Sequence, residues 1–170
     1  MTPGIYVGTC SWSEKSLVGT FYPEDIAPTD MISFYATRFT AVEVDSTFYH
    51  MPSYYNARAW ANRTPPVFKF NYKAFGPMTT HSGEYDGQKV RRATEDMLHE
   101  FEDALAPLAS EGRIGYVLFQ FPKWFFPSSE NKDYIAWCVE NMPNSIVAVE
   151  FRNGYWFKDE ERTRETVEFL

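Results

Sequence analysis

Acidic and basic residues fall at alternating positions in the three most strand-like segments of this chain, residues 41–45, 67–73 and 146–152. Side chains on a strand alternate between its two faces. One face is apolar in every segment: Val42 and Val44; Phe68, Phe70 and Tyr72; Val147, Val149 and Phe151. The other face carries Glu43 and Asp45, Lys69 and Lys73, Glu150 and Arg152. An open doubly wound sheet buries both strand faces in apolar contacts. A parallel barrel suits this pattern better. Its apolar strand faces meet the surrounding helices, and the charges gather in the lumen near one mouth. Function is expected at that mouth.

The rest of the chain supplies the crossovers. Residues 5–9 read as a first strand. Thr29 and Asp30 can cap a helix running to about Arg38, and Ser53 can cap one to about Asn62, which Pro65 and Pro66 prevent from continuing. A polar, glycine-bearing loop over 76–87 precedes a helix over about 88–105. In that helix Val90, Met97, Phe101, Ala104 and Leu108 recur at helical spacing. Residues 114–120 form the fourth strand, which Phe121 and Pro122 end. Ser128 or Ser129 opens a helix to about Asn141. Residues 146–151 form the fifth strand, and 159–170 are helix-prone. Strands alternating with helices imply parallel pairing and right-handed crossovers. The expectation is one α/β domain over residues 1–170, a TIM-type (β/α) barrel represented by its first five βα units. A complete barrel needs eight such units and about 250 residues.

Charge and hydropathy narrow the function classes. Net charge is −7, from 23 acids against 16 bases, which argues against a general nucleic-acid binder because that affinity is mostly phosphate neutralisation. No apolar run approaches the ~20 residues that span a bilayer. The N-terminus, Met1-Thr2-Pro3-Gly4, lacks a signal-peptide pattern. Two cysteines, Cys10 and Cys138, make no disulfide framework, so the expected setting is the cytoplasm with reduced thiols.

Seven blocks then follow one another along the chain. They are Gly8-Thr9-Cys10-Ser11-Trp12, Phe21-Tyr22-Pro23, Val42 to Tyr49 (Val-Glu-Val-Asp-Ser-Thr-Phe-Tyr), Phe70-Asn71-Tyr72-Lys73-Ala74, Thr80-His81, Leu118-Phe119-Gln120-Phe121-Pro122 and Val149 to Trp156 (Val-Glu-Phe-Arg-Asn-Gly-Tyr-Trp). Together they resemble the signature blocks of the YecE-like family, the domain of unknown function 72. The resemblance covers nearly the whole chain in order. It implies a TIM-type barrel without an established activity, three further strands and a further acidic residue at a later strand end. A site built from this chain alone would then lack part of its wall.

Glu43, Asp45 and Glu150 are the candidate acids. A carboxyl facing another carboxyl or an apolar wall has a raised pKa and serves as a general acid. The plainer alternative is an ion-pair lattice with Lys69, Lys73 and Arg152. Lys73 and Arg152 suit an anion, and His81, in a polar loop just past a strand, suits acid/base work. The plainer reading pairs Arg152 with an acid and bonds His81 to its own loop. His50 is a second choice, and His99 falls on the outer face of its helix. Trp12, Phe48, Tyr49, Phe121 and Trp156 sit just past strand ends, where rings can wall a substrate or simply pack. Gln120 offers both a donor and an acceptor. Cys10 has no positive neighbour in sequence to activate it. No zinc spacing is present and no cofactor is expected, although Glu43, Asp45 and Glu150 could together hold magnesium or manganese.

The expected function is general acid/base catalysis on a small polar or anionic substrate, by a hydrolase or an isomerase. Glu43, Glu150 and His81 are the catalytic candidates. Trp12, Asp45, Tyr49, Lys73, Gln120, Arg152 and Trp156 are the substrate-binding candidates. The alternatives are a non-catalytic barrel that binds a small molecule or nucleotide, and an inactive fragment of a longer protein. No membrane partner is expected, and the open barrel edges invite homo-oligomers.

Overall fold

The computed structural model describes residues 4–170. Residues 1–3, where the N-terminus was read as free of a signal-peptide pattern, lie outside them. In chain order the elements are α1 (Met31–Tyr35), β1 (Ala41–Val44), α2 (Tyr54–Arg63), β2 (Lys69–Lys73), β3 (Gly83–Tyr85), β4 (Gln88–Val90), α3 (Glu95–Ala109), β5 (Ile114–Phe121), α4 (Ser129–Glu140), β6 (Val147–Phe151) and α5 (Glu160–Phe169). Short 3₁₀ turns fill several connections. Strands β1, β2, β5 and β6 make one parallel sheet in that order, and β3 pairs with β4 as a separate antiparallel hairpin.

The apolar strand faces form the core. Phe68, Phe70, Tyr72, Val117, Phe119 and Phe121 are all buried, together with Met97, Leu98, Phe101, Leu105 and Leu108 from α3. Three helix starts follow the expected capping chemistry. Ser53, Ser128 and Asp159 accept from the backbone N–H of Asn56, Asn131 and Arg162. The fourth does not: Asp30 is itself helical and its side chain makes no cap bond, and α1 stops at Tyr35 rather than near Arg38.

Two expected elements are corrected. The helix placed over about 88–105 begins only at Glu95, capped by Thr94, because residues 88–90 are strand β4. The turn between β3 and β4 is Asp86-Gly87, with φ of 49° and 71°. Positive φ at both central residues is the geometry of a tight hairpin, and Asp-Gly is its usual sequence. The segment read as the first strand is the second correction. It lies along β1 without becoming a regular strand. The carbonyl of Val7 accepts from Thr40 and Ala41, that of Thr9 accepts from Glu43, and Cys10 bridges Glu43 in parallel sense. Gly8 comes so close to β1 that a Cβ there would stand 2.0 Å from the Ala41 carbonyl oxygen, so only glycine fits.

The parallel sheet has four strands rather than the expected five, and it is open, with no closed barrel. Four strands cannot carry β6 round to the first one, since closure on this plan takes eight. Among the described residues no helix is long and apolar enough to cross a membrane.

Candidate functional site at the strand ends

Strand register decides which polar residues share a face. Glu43 lies level with Asn71, Lys73 with Leu118, and Gln120 with Glu150. Paired neighbours in a parallel sheet point the same way, so these side chains share the face opposite Phe70 and Val117. The register shifts once, where Gly115 and Tyr116 of β5 stand opposite the single residue Asn71. There the Asn71 Oδ1 accepts from the Tyr116 N–H at 3.2 Å. A Cβ on Gly115 would lie 2.1 Å from that oxygen, so a larger residue there would displace the Asn71 side chain and its bond to Tyr116.

The polar face divides into three groups. Deepest is Glu43. Its Oε1 accepts from the Cys10 thiol at 3.5 Å and its Oε2 from the Tyr116 hydroxyl at 3.4 Å. Burial and the Glu43 charge push both of those groups up in pKa, so Cys10 is a thiol and not an activated thiolate. A cleft of about 520 Å³ opens over Thr9, Cys10, Glu43, Asn71 and Tyr116. Lys69 also lines it, but its ammonium is tied to the Gly112 carbonyl.

The second group surrounds Lys73. Its ammonium pairs with Asp45 at 2.9 Å and stands 5.0 Å from the Phe48 ring centre. His81 lies beyond it, with Phe48 at 4.9 Å and Trp124 at 5.4 Å, both edge-on. Burial first, then the charges of Arg152 and Lys73, hold the imidazole below its ordinary pKa of 6.5. Its Nδ1 lies 2.9 Å from the Thr79 hydroxyl, which itself donates to the Gly76 carbonyl at 3.1 Å. The Thr79 hydroxyl has one proton for two acceptors: while it rests on Gly76, Nδ1 carries the imidazole hydrogen and Nε2 the lone pair, and the roles reverse when it turns to Nδ1. The turn that presents this ring has Thr80 at φ 64°, a costly conformation for a β-branched residue. The His81 cleft measures about 630 Å³ and is walled by Phe48, Tyr49, Phe75, Arg91 and Trp124.

The third group is at the rim. Gln120 Nε2 donates to both oxygens of Glu150 at 2.8 Å, and Arg152 Nε lies 3.6 Å from Glu150.

The sequence-predicted residues therefore come together only in part. Lys73 with Asp45, and Gln120 with Glu150 and Arg152, meet as expected from strand alternation. Glu43 and Glu150 share the face but not a site. Two strands separate them, with Glu43 two residues below the level of Lys73 and Glu150 two above it. Ordinary sheet spacings put them on the order of 15–20 Å apart. Tyr49 is 67% exposed at the His81 cleft. Trp12 packs edge-on against Trp60 at 4.9 Å, and its carbonyl accepts from the Tyr22 hydroxyl.

Trp156 is 0% exposed, stacked on Phe151 at 3.9 Å, and donates to the Phe125 carbonyl at 2.8 Å. It is a core residue and cannot wall a substrate. Its position past a strand end does not reveal this, because the turn it starts folds back under the sheet. Phe121 is likewise fully buried. Among the described residues no three of His, Cys, Asp and Glu are placed to hold a metal ion. Glu43, Asp45 and Glu150 each have separate partners.

Sequence reasoning missed three participants. Trp124 follows Pro122 beyond a strand end, a signal that could have found it. Thr79 and Tyr116 give no such signal, since one works through a turn and the other through a bulge.

A parallel sheet joined by helices, with titratable groups on one face, defines a mixed α/β protein. The chain belongs to the family described as protein of unknown function DUF72, whose profile matches residues 6–170. This agrees with the resemblance read from the seven blocks. It is 34% identical over 153 residues to the UPF0759 protein YunF of Bacillus subtilis, covering 90% of this chain and 52% of that one. It is 29% identical over 123 residues to the UPF0759 protein YecE of Escherichia coli K12, covering 72% and 39%. The chain thus spans about half the length, or less, of these curated relatives. A crystal structure of a DUF72 family protein from Thermotoga maritima superposes with a TM-score of 0.76 at 30% identity, over 97% of this chain and 60% of that one. One from Enterococcus faecalis superposes at 0.79 with 23% identity, over 96% and 56%.

Proposed function

We propose that this chain forms one side of a TIM-type barrel mouth, and that the mouth catalyses acid/base chemistry on a small anionic substrate. The observation that carries the reading is His81. Its Nδ1 lies 2.9 Å from the Thr79 hydroxyl, its pKa is depressed, and Lys73 and Arg152 supply positive charge beside it. A neutral imidazole with an open Nε2 accepts a proton from a substrate, while the two cations hold the substrate's negative charge. Glu43 and Glu150 are too far apart to share one proton transfer within this sheet. Glu43, next to the Cys10 and Tyr116 hydrogens, is the deeper proton carrier if a substrate reaches the lumen. The hydrolase and isomerase readings both remain compatible with this set. The same reading keeps the protein in the cytoplasm, where Cys10 and Cys138 stay free thiols.

The test is a turnover screen over phosphate esters, carboxylic acids and sugar derivatives, comparing wild type with His81→Gln. The expected result is a loss of about 100-fold or more for the variant, with its fold intact by circular dichroism. Turnover unchanged in His81→Gln overturns the assignment. Tight ligand binding without turnover establishes the non-catalytic binding reading instead.

A further inference from the structure

A third cleft, of about 340 Å³, lies between the loop after β5 and the turn after β6. Lys123 and Phe126 line it from the first loop, and Arg152, Tyr155 and Lys158 from the second. We propose that this cleft binds a phosphate monoester carrying a flat ring, a ligand of the mononucleotide class.

Three cations line one small cleft in a chain whose net charge is −7. Arg152 and Lys158 each have a carboxylate 3.6 Å away, Glu150 and Asp159, but neither acid lines the cleft. Lys123 has no carboxylate partner among the described residues. A planar fork and two point charges suit a dianionic phosphate better than a single carboxylate.

The ring requirement comes from Phe126 and Tyr155. They are 51% and 60% exposed, with ring centres 5.7 Å apart. They touch each other at an angle and leave outer faces on which a ligand ring can stack.

The two loops are also tied together. Asn153, nearly buried, donates to the Lys123 carbonyl at 2.7 Å and accepts from the Tyr155 N–H at 2.9 Å, which staples the two loops together. Trp156 adds its bond to the Phe125 carbonyl. Such preorganisation lowers the ordering cost of binding. The size admits a phosphate with one ring system, and the overall negative charge disfavours a polymer. The cleft shares Arg152 with the His81 site but needs no proton transfer at His81.

Calorimetry with AMP, ribose 5-phosphate, adenosine and inorganic phosphate at low salt tests it. AMP is expected to bind about tenfold more tightly than ribose 5-phosphate through ring stacking. Tyr155→Ala should remove that preference and leave phosphate binding in place. Lys123→Ala and Lys158→Ala should each weaken AMP several-fold, and His81→Gln should not. Backbone amide shifts on AMP addition should centre on residues 123–126 and 152–158. Failure of AMP to bind, equal affinity for AMP and ribose 5-phosphate, or AMP binding unchanged in both lysine variants overturns the proposal. Binding seen only with an oligonucleotide overturns it as well.

Discussion

The two faces of the parallel sheet obey different rules. On the helix side, Phe70, Tyr72, Val117 and Phe119 are almost wholly out of water and touch other apolar groups. On the opposite side, Glu43, Lys73, Gln120 and Glu150 stay partly wet and are held by hydrogen bonds and ion pairs. The same strands carry both, one residue apart. Burial of apolar area stabilises the first face. The second face contributes little net stability, because exposed ion pairs are worth about 0–1 kcal/mol. A face that does little for stability is free to carry chemistry.

Substitutions on the helix side should hurt most. Phe70→Ala is expected to cost about 3–5 kcal/mol in urea unfolding, through lost burial and a cavity. A loss below about 1 kcal/mol would mean that the division between faces is false. Arg113 sharpens the point, since it is 1% exposed on the core side yet charged. It donates to the carbonyls of Ala61 and Phe68 and to the Thr64 hydroxyl. Arg113→Ala leaves these acceptors unpaired and should cost roughly 3–5 kcal/mol.

The polar face should respond in a graded way. Lys73 is largely buried and leans on Asp45, so Asp45→Asn should cost about 1–3 kcal/mol, less than the 3–5 of a fully buried pair. Glu43 has no basic partner within ion-pair distance among the described residues. Glu43→Gln should therefore cost less than about 1 kcal/mol, with the melt nearly unchanged. A large loss there would restore the ion-pair lattice as the explanation of this face.

The smallest effect concerns pH. The His81 imidazole is held below 6.5 by burial, Arg152 and Lys73. Between that lowered value and 6.5 the unfolded chain binds more protons than the folded one. The stability due to His81 is thus fully present above 6.5 and is lost as pH falls toward the folded value. A proton-NMR titration should place the His81 midpoint below 6.5, and Arg152→Ala should move it upward. A His81 midpoint at or above 6.5 would remove the support for a neutral base.

Much of the fold was legible because its signals are local. Strand alternation placed Phe70 and Lys73 on opposite faces, and Ser53, Ser128 and Asp159 marked helix starts. The Asp86-Gly87 hairpin was also written in the chain but was masked by Val90, which happens to fit the helical spacing of α3. The candidate site was less legible. Trp156 and Tyr155 are adjacent and equally aromatic, yet one is core and the other exposed, and only the path of the turn after β6 separates them.

The sequence by itself determined which side chains go to the core face and which to the polar face, because a period of two is a property of the strand alone. Tertiary structure decided which polar groups meet. The pairing of β5 with β6 set Gln120 against Glu150, and the two strands between β1 and β6 kept Glu43 away from Glu150. It also decided the surroundings of His81, whose Nδ1 meets the Thr79 hydroxyl and whose charge is opposed by burial and by Arg152 from another strand end. Electrostatic effects act through space, so they depend on distances that no sequence spacing encodes.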